Sequence, residues 1–163
     1  MGDATCFAFL YVVVDRCIPL SLMFVQVMIA ATDIMYPKEL TYDIQCPTSA
    51  FFGLFQTSEA FFHCFVGIAE GMRCILMSID GPTELGLRSL ANTYRCINAD
   101  LERTKTPAWG TIASVMSLTM HENLFGMTGK SKVHLQALER MVHLRGGLHV
   151  FEEHAALLHK ICR

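Results

Sequence analysis

Residues 134–148 read HLQALERMVHLRGGL, an amphipathic stretch that runs into Arg145-Gly146-Gly147. Leu135, Leu138, Met141 and Val142 fall on one stripe at three- and four-residue steps, with Lys132, Gln136, Glu139, Arg140 and His143 opposite, which predicts a helix lying on a core. Gly146 or Gly147 supplies the left-handed residue that closes a helix, and Leu148 is placed to make the accompanying apolar contact. Arg145, seven residues beyond Leu138, turns toward the buried side of the final turn, where a cation favours the helix dipole and can bond free carbonyls. Arg-Gly-Gly is therefore read first as a stop signal. An RNA-binding RGG segment would be repeated and disordered, and a ubiquitin-like tail would end a strand-rich domain; this copy is single and sixteen residues follow it.

Working upstream, the same periodicity recurs. SEAFFHCFVGIAEGMRCILMSI, from Ser58, puts Glu59, His63, Glu70 and Arg73 on a narrow polar stripe and leaves Phe62, Phe65, Ala69, Met72 and Leu76 elsewhere, which describes a largely enclosed helix. Asp80-Gly81-Pro82 breaks the chain, with Pro82 suited to a first turn. Leu87, Leu90, Ala91, Tyr94, Ile97 and Leu101 then form the expected apolar face, and Glu84 and Arg88 an outer i,i+4 pair. Thr106 as N-cap and Pro107 in the first turn start a helix through Ile112, Val115, Met116, Leu118 and Met120 that Gly126 can end; its Ser114, Ser117 and His121 form a small polar strip that permits close packing. No stretch alternates like a strand. The expected class is all-α, an irregular bundle of five to six helices, with an apolar helical segment at 1–35, a proline-containing loop (YPKELTYDIQCPTS) and a helical domain over 36–163.

The bulk numbers bound the function. The chain is 163 residues, 52% hydrophobic and 17% charged, with a mean hydropathy of +0.37; it is more apolar than a usual globular domain and favours a membrane or protein contact. Thirteen basic against fifteen acidic residues give a net charge of -2, so nucleic-acid binding by this chain has no electrostatic basis. Seven cysteines, at 6, 17, 46, 64, 74, 96 and 162, are never closer than ten residues, which excludes a CxxC half-site; they read as reduced, mostly buried thiols in an intracellular compartment. The longest uncharged run, Cys17 to Thr32, is sixteen residues with Pro19 and Gln26 inside it, short of the roughly 20 a spanning helix needs. A membrane-associated protein anchored through residues 4–35 is the alternative reading.

Several chemical motifs nearly form. GMTGKS at 126–131 would place Lys130 on phosphate and Ser131 on magnesium, but Leu124 stands where a P-loop needs glycine, and a helix precedes it where a strand is required. His121-Glu122 lacks the second histidine of HExxH, because Phe125 occupies that position. His149, His154 and His159 recur every five residues and spread around a helix as solvated side chains. No nucleophile has a visible base partner. The expectation is a chain without catalytic, cofactor-binding or metal-binding residues, with any small-molecule effector unspecified.

SKVHLQALERMVHLRGGL at 131–148 followed by ALLHKICR at 156–163 resembles the fungal-specific transcription factor regulatory domain, the helical region downstream of the zinc cluster in many fungal regulators. YPKEL, SEAFFHCFV and PAWGTIASVMSLTMHENLFG resemble, in order, that family's loop, early helix and the helix before the Leu-Arg-Gly-Gly element, so the likeness covers about Tyr36 to Arg163. It implies a nuclear, non-catalytic regulatory or interaction module, with Leu135, Leu138, Glu139, Met141, Val142, Leu144, Arg145, Gly146 and Gly147 as its motif; without the resemblance the location would be cytoplasmic. The six-cysteine cluster is missing, so the family's DNA-reading activity is not carried over. The family's domain also continues beyond the position of Arg163, which implies an incomplete domain whose uncovered apolar surface a protein partner or self-association would hide.

Overall fold

The computed structural model describes residues 53–154 together with 157, 158, 161 and 162. The apolar segment 1–35, the proline-containing loop, His159 and three of the cysteines lie outside the described residues. Four helices follow in order: α1 (Glu59–Leu76), α2 (Glu84–Arg103), α3 (Trp109–Leu124) and α4 (Thr128–Leu144), then a 3-10 helix at Leu148–His154. Residues 53–57 are also helical. Among the described residues every regular element is a helix, and the fold is an all-α multi-helix bundle.

Each boundary has a local cause. Ser58 caps α1, its Oγ accepting from Phe61 N at 3.2 Å. Thr83 caps α2, its Oγ1 accepting from Gly86 N at 3.0 Å, so Pro82 lies ahead of the cap and not in the first turn. Ala108, not Thr106, is the N-cap of α3, and alanine offers no side-chain oxygen. The C-terminus of α2 supplies it: Asp100 Oδ2 accepts from Ala108 N at 2.9 Å and from Thr111 Oγ1 at 2.6 Å. Three helices close alike, with the amides of the two residues after the cap donating back to carbonyls of the last turn. These are Ser78 and Ile79 after α1, Gly126 and Met127 after α3, and Gly146 and Gly147 after α4. The first residue of each pair has positive φ, at 52°, 71° and 104°.

α1 packs against α2 and α3, and α3 against α4, so α1 and α3 carry the core. Phe61, Cys64, Ala69, Ile112, Ala113, Val115, Met116 and Leu118 are buried there, joined by Leu138, Met141 and Val142 from α4 and Phe151 from the 3-10 helix. Phe151 is fully enclosed and meets Trp109 edge-on at 4.9 Å, a burial that contributes on the order of 2 kcal/mol. α1 is largely enclosed, as its composition predicts, but its polar stripe is not a surface. His63 and Glu70 are buried, and Glu70 accepts a forked pair from Arg73 at 2.9 and 3.2 Å and a bond from Thr83 Oγ1 at 2.9 Å, tying the end of α1 to the cap of α2. The expected close approach at Ser114 is present: Ser114 is buried, its Oγ donates to Gly110 O, and Cys64 Sγ approaches its carbonyl at 3.5 Å.

The face expected for α2 is corrected in part: Ile97 is buried and Leu90 packs against the core as expected. Gly86, Ser89, Thr93 and Ile97 are the residues turned inward, while Leu87, Tyr94 and Leu101 are exposed. The small face wins because α1 comes too near for a large one. Leu90 is admitted because Gly67 of α1 has no side chain, a Cβ there lying 2.9 Å from the leucine, and Gly86, Ser89 and Thr93 keep the rest of the crossing close. The outer Glu84–Arg88 pair forms as expected and is solvent-exposed.

Candidate interaction surface

Contacts at the helix ends fix the directions of the bundle. Ser58 at the start of α1 lies against Gly110 at the start of α3, where an added Cβ would stand 2.0 Å from the serine Oγ. Asp100 at the end of α2 and Arg145 at the end of α4 reach the same place, through Ala108 and the Pro107 carbonyl. At the opposite end, Gly71 of α1 faces His121 of α3. α1 and α3 therefore run one way, and α2 and α4 run together the other way.

α2 and α4 meet across the outside of α3 through one stacked pair: Tyr94 and His134, with ring centroids 6.0 Å apart and planes 16° from parallel. His134 Nε2 also lies 3.3 Å from Oε2 of the buried Glu122 on α3, close enough for an ion pair but off the line of a hydrogen bond. Burial, and secondarily the Glu122 carboxylate and Cys64, push the Tyr94 phenol above its ordinary value. Leu87, Tyr94 and Leu101 follow at seven-residue steps on the flank of α2 that turns toward α4, and they are 53%, 38% and 38% exposed. On α4, Val133 and Leu144 lie about 80–100° around the helix from His134, on the side away from the core. They are 62% and 57% exposed. These exposed residues of α2 and α4, on either side of the Tyr94–His134 stack, make up the candidate surface, a trough between the two helices.

The residues singled out in the sequence divide. Leu138, Met141 and Val142 are buried as expected, whereas Leu135, placed on the same stripe, is exposed, because it stands on the flank of α4 away from α2. Glu139 is exposed, and Leu144 belongs to the trough. Gly146 and Gly147 close α4 at φ 104° and 101°, their amides bonding His143 O at 2.9 Å and Val142 O at 3.0 Å. Leu148 does not make the accompanying contact; it is exposed, and Val150 is the side chain nearest Gly146. Arg145 turns inward but binds no carbonyl of its own helix. Its Nη1 donates to Pro107 O, and its guanidinium lies 3.6 Å from the Trp109 ring centroid. His154 covers the same indole at 4.0 Å, so it is a packed side chain and not a solvated one; His149 is exposed.

The near-motifs resolve into packing. Ser131 is buried and donates to Thr119 O at 3.2 Å, while Gly129 and Lys130 are exposed in the first turn of α4. Gly126 closes α3, and the second glycine lies inside the next helix. Among the described residues no three His, Cys, Asp or Glu side chains converge as metal ligands, and no helix is long and apolar enough to cross a membrane. Of the described cysteines, Cys64 and Cys74 are buried, Cys96 is half-buried and Cys162 exposed, all as free thiols. Burial pushes the Cys64 thiol well up, so it is inert toward thiolate chemistry.

Sequence reasoning missed the trough and the Tyr94–His134–Glu122 junction. The signal was available in α2: Gly86, Ser89 and Thr93 share a face at three- and four-residue steps, the pattern of a close helix crossing, and accepting it turns Leu87, Tyr94 and Leu101 outward. No protein-family model matches this chain, and no curated protein or solved structure matches it.

Proposed function

We propose that this chain is a non-catalytic helical regulatory or interaction module, similar to the regulatory domain of fungal zinc-cluster transcription factors and without a DNA-reading element of its own. The observation that carries the reading is the trough: Leu87, Tyr94, Leu101, Val133 and Leu144 are exposed on the two helices joined by the Tyr94–His134 stack. Exposed aliphatic rows are costly in water and are kept where a protein surface covers them. The resemblance supports a regulatory class and a nuclear location, and the exposed apolar residues support a protein partner as what covers them. The module acts by recognition alone.

The test tethers the full chain to a heterologous DNA-binding domain beside a reporter gene and compares it with a Leu87→Glu/Leu101→Glu variant. The expected result is a change in reporter output that the variant abolishes while keeping its thermal midpoint. Wild-type chain that leaves the reporter at baseline, or a variant with full effect, would overturn the reading.

A further inference from the structure

We infer that the exposed face of α2 is a self-recognition surface, on which a second copy of this chain docks its own α2, antiparallel, about a twofold axis beside Tyr94. The inference rests on the proposed reading for treating this face as a protein contact, and it names the partner.

The face has the spacing of a helix-pairing seam. Leu87, Ala91, Tyr94, Asn98 and Leu101 follow at four-, three-, four- and three-residue steps, and all five are exposed. They fall within about 80° of arc along about 21 Å of helix. Their sizes suit a reversed copy. Leu87 and Leu101 lie seven residues to either side of Tyr94, so turning the helix end for end brings Leu87 of one copy beside Leu101 of the other, twice. Ala91 then meets Asn98, and the two Tyr94 rings meet at the axis. Each ring is already held by its stack on His134, so little ordering is left for the partner to impose.

Charge selects the partner and the direction. Glu84, Arg88, Arg95 and Glu102 flank the seam on the side farthest from the buried Gly86, Ser89 and Thr93, and all four are exposed. In an antiparallel pair about a twofold axis this flank meets itself reversed. Arg88 comes beside Glu102 of the second copy, and Glu84 beside the turn that carries Lys105, so opposite charges face each other on both sides of the axis. Arg88 already pairs with Glu84 in its own helix, but both side chains are more than three-quarters exposed, so sharing that pair costs little. Arg95 meets its own kind near the axis, and its charge is balanced within each copy by Glu59, whose Oε1 accepts from Arg95 Nη2 at 3.0 Å. A parallel pair forms none of these bridges, because the charged flank would face the side of α2 where Leu90 and Ile97 pack on the bundle. The seam is short, so the dimer is a weak one, with a dissociation constant on the order of 10 micromolar.

The test is sedimentation equilibrium of the full chain from about 1 to about 100 micromolar, a range that brackets such a constant. Arg88→Glu and Glu102→Arg each set like charges against each other on both sides of the axis, and each variant alone should dimerise about tenfold more weakly than wild type. Mixed in equal amounts, the two variants restore opposite charges at both places and should recover association to within about threefold of wild type. Both positions are exposed, so the thermal midpoints should match wild type. A wild-type chain that stays monomeric throughout, a dimer that the single variants leave intact, or a mixture no tighter than its components overturns the inference. The two readings fail separately: a monomer that changes the reporter keeps the proposed function and loses the pairing, while a dimer that is silent at the reporter keeps the pairing and loses the function.

Discussion

Arg145 lies face-on to Trp109, its guanidinium carbon 3.6 Å from the ring centroid, and its Nη1 donates to the carbonyl of Pro107. The contact links the residue that caps the end of α4 to the first residue of α3. His154 and Phe151 pack on the same indole, so the Leu-Arg-Gly-Gly turn, the start of α3 and the 3-10 helix form one joint. The turn is thus more than a stop signal: it delivers an arginine to the opposite end of a helical hairpin.

Substitution at this joint separates two accounts of Arg145. Arg145→Lys keeps a cation near the end of α4 but loses the planar stack and the rigid fork of donors. Stability should fall by about 1 kcal/mol for lysine and about 2–3 kcal/mol for alanine, combining cation–π and hydrogen-bond contributions. Urea unfolding midpoints measure both. A lysine variant as stable as wild type would show that the helix dipole, not the Trp109 face, is what the arginine serves.

Asp100 is expected to act as a cap borrowed across a turn. Asp100→Ala should cost about 1–2 kcal/mol, the usual worth of an N-cap, although Asp100 lies in a different helix from the one it caps. Hydrogen exchange should locate the damage: amides in the first turn of α3, after Ala108, should exchange faster while the middle of α2 is unchanged. Uniform acceleration throughout α2 would mean that the carboxylate supports its own helix instead.

Ser78 and Gly146 hold equivalent positions after their helices, with φ 52° and 104°. Serine in that region bears a steric cost that glycine avoids, so Ser78→Gly should stabilise by a few tenths to about 1 kcal/mol. Gly146→Val and Gly147→Val should each destabilise by more than about 1 kcal/mol, since β-branched residues resist positive φ. If the glycine variants keep their stability but lose reporter activity, these glycines recognise a partner and do not close a helix.

How far the fold was legible depends on what each signal measures. Helix ends marked by conformational need were readable: Gly126 and Gly146 close their helices where the sequence placed the stops. Caps supplied from a distance were not, because nothing near Ala108 announces Asp100 as its acceptor. Periodicity identified α2 but not its inner face, since two faces competed: one large and apolar, one small. Size decided it, as the close crossing with α1 leaves room for Gly86, Ser89 and Thr93 and not for Leu87 or Tyr94. Leu135 failed for a related reason, lying at the margin of a stripe whose centre is Leu138 and Val142. The trough was therefore written in the sequence as an apolar row assigned to the wrong side, and the His134–Glu122 contact depends on a hairpin geometry that no local pattern encodes.

Acid should weaken the bundle through His63 and His121. Burial lowers both below their ordinary value near 6.5; Glu59 partly opposes this at His63 while Arg95 adds to it, and Glu122 partly opposes it at His121. The native state then binds fewer protons than the unfolded chain below that value, so stability rises with pH. The contribution is fully present above about pH 6.5 and is lost as pH falls through the unfolded value toward the depressed folded ones. Urea midpoints taken from pH 8 to pH 5 should hold steady above neutrality and decline below it, no more steeply than about 1.4 kcal/mol per pH unit for each histidine. His121→Gln keeps a polar side chain beside Gly71 without a titrating ring, and it should flatten part of that decline. A midpoint that instead rises on acidification would show that these two histidines do not set the pH response.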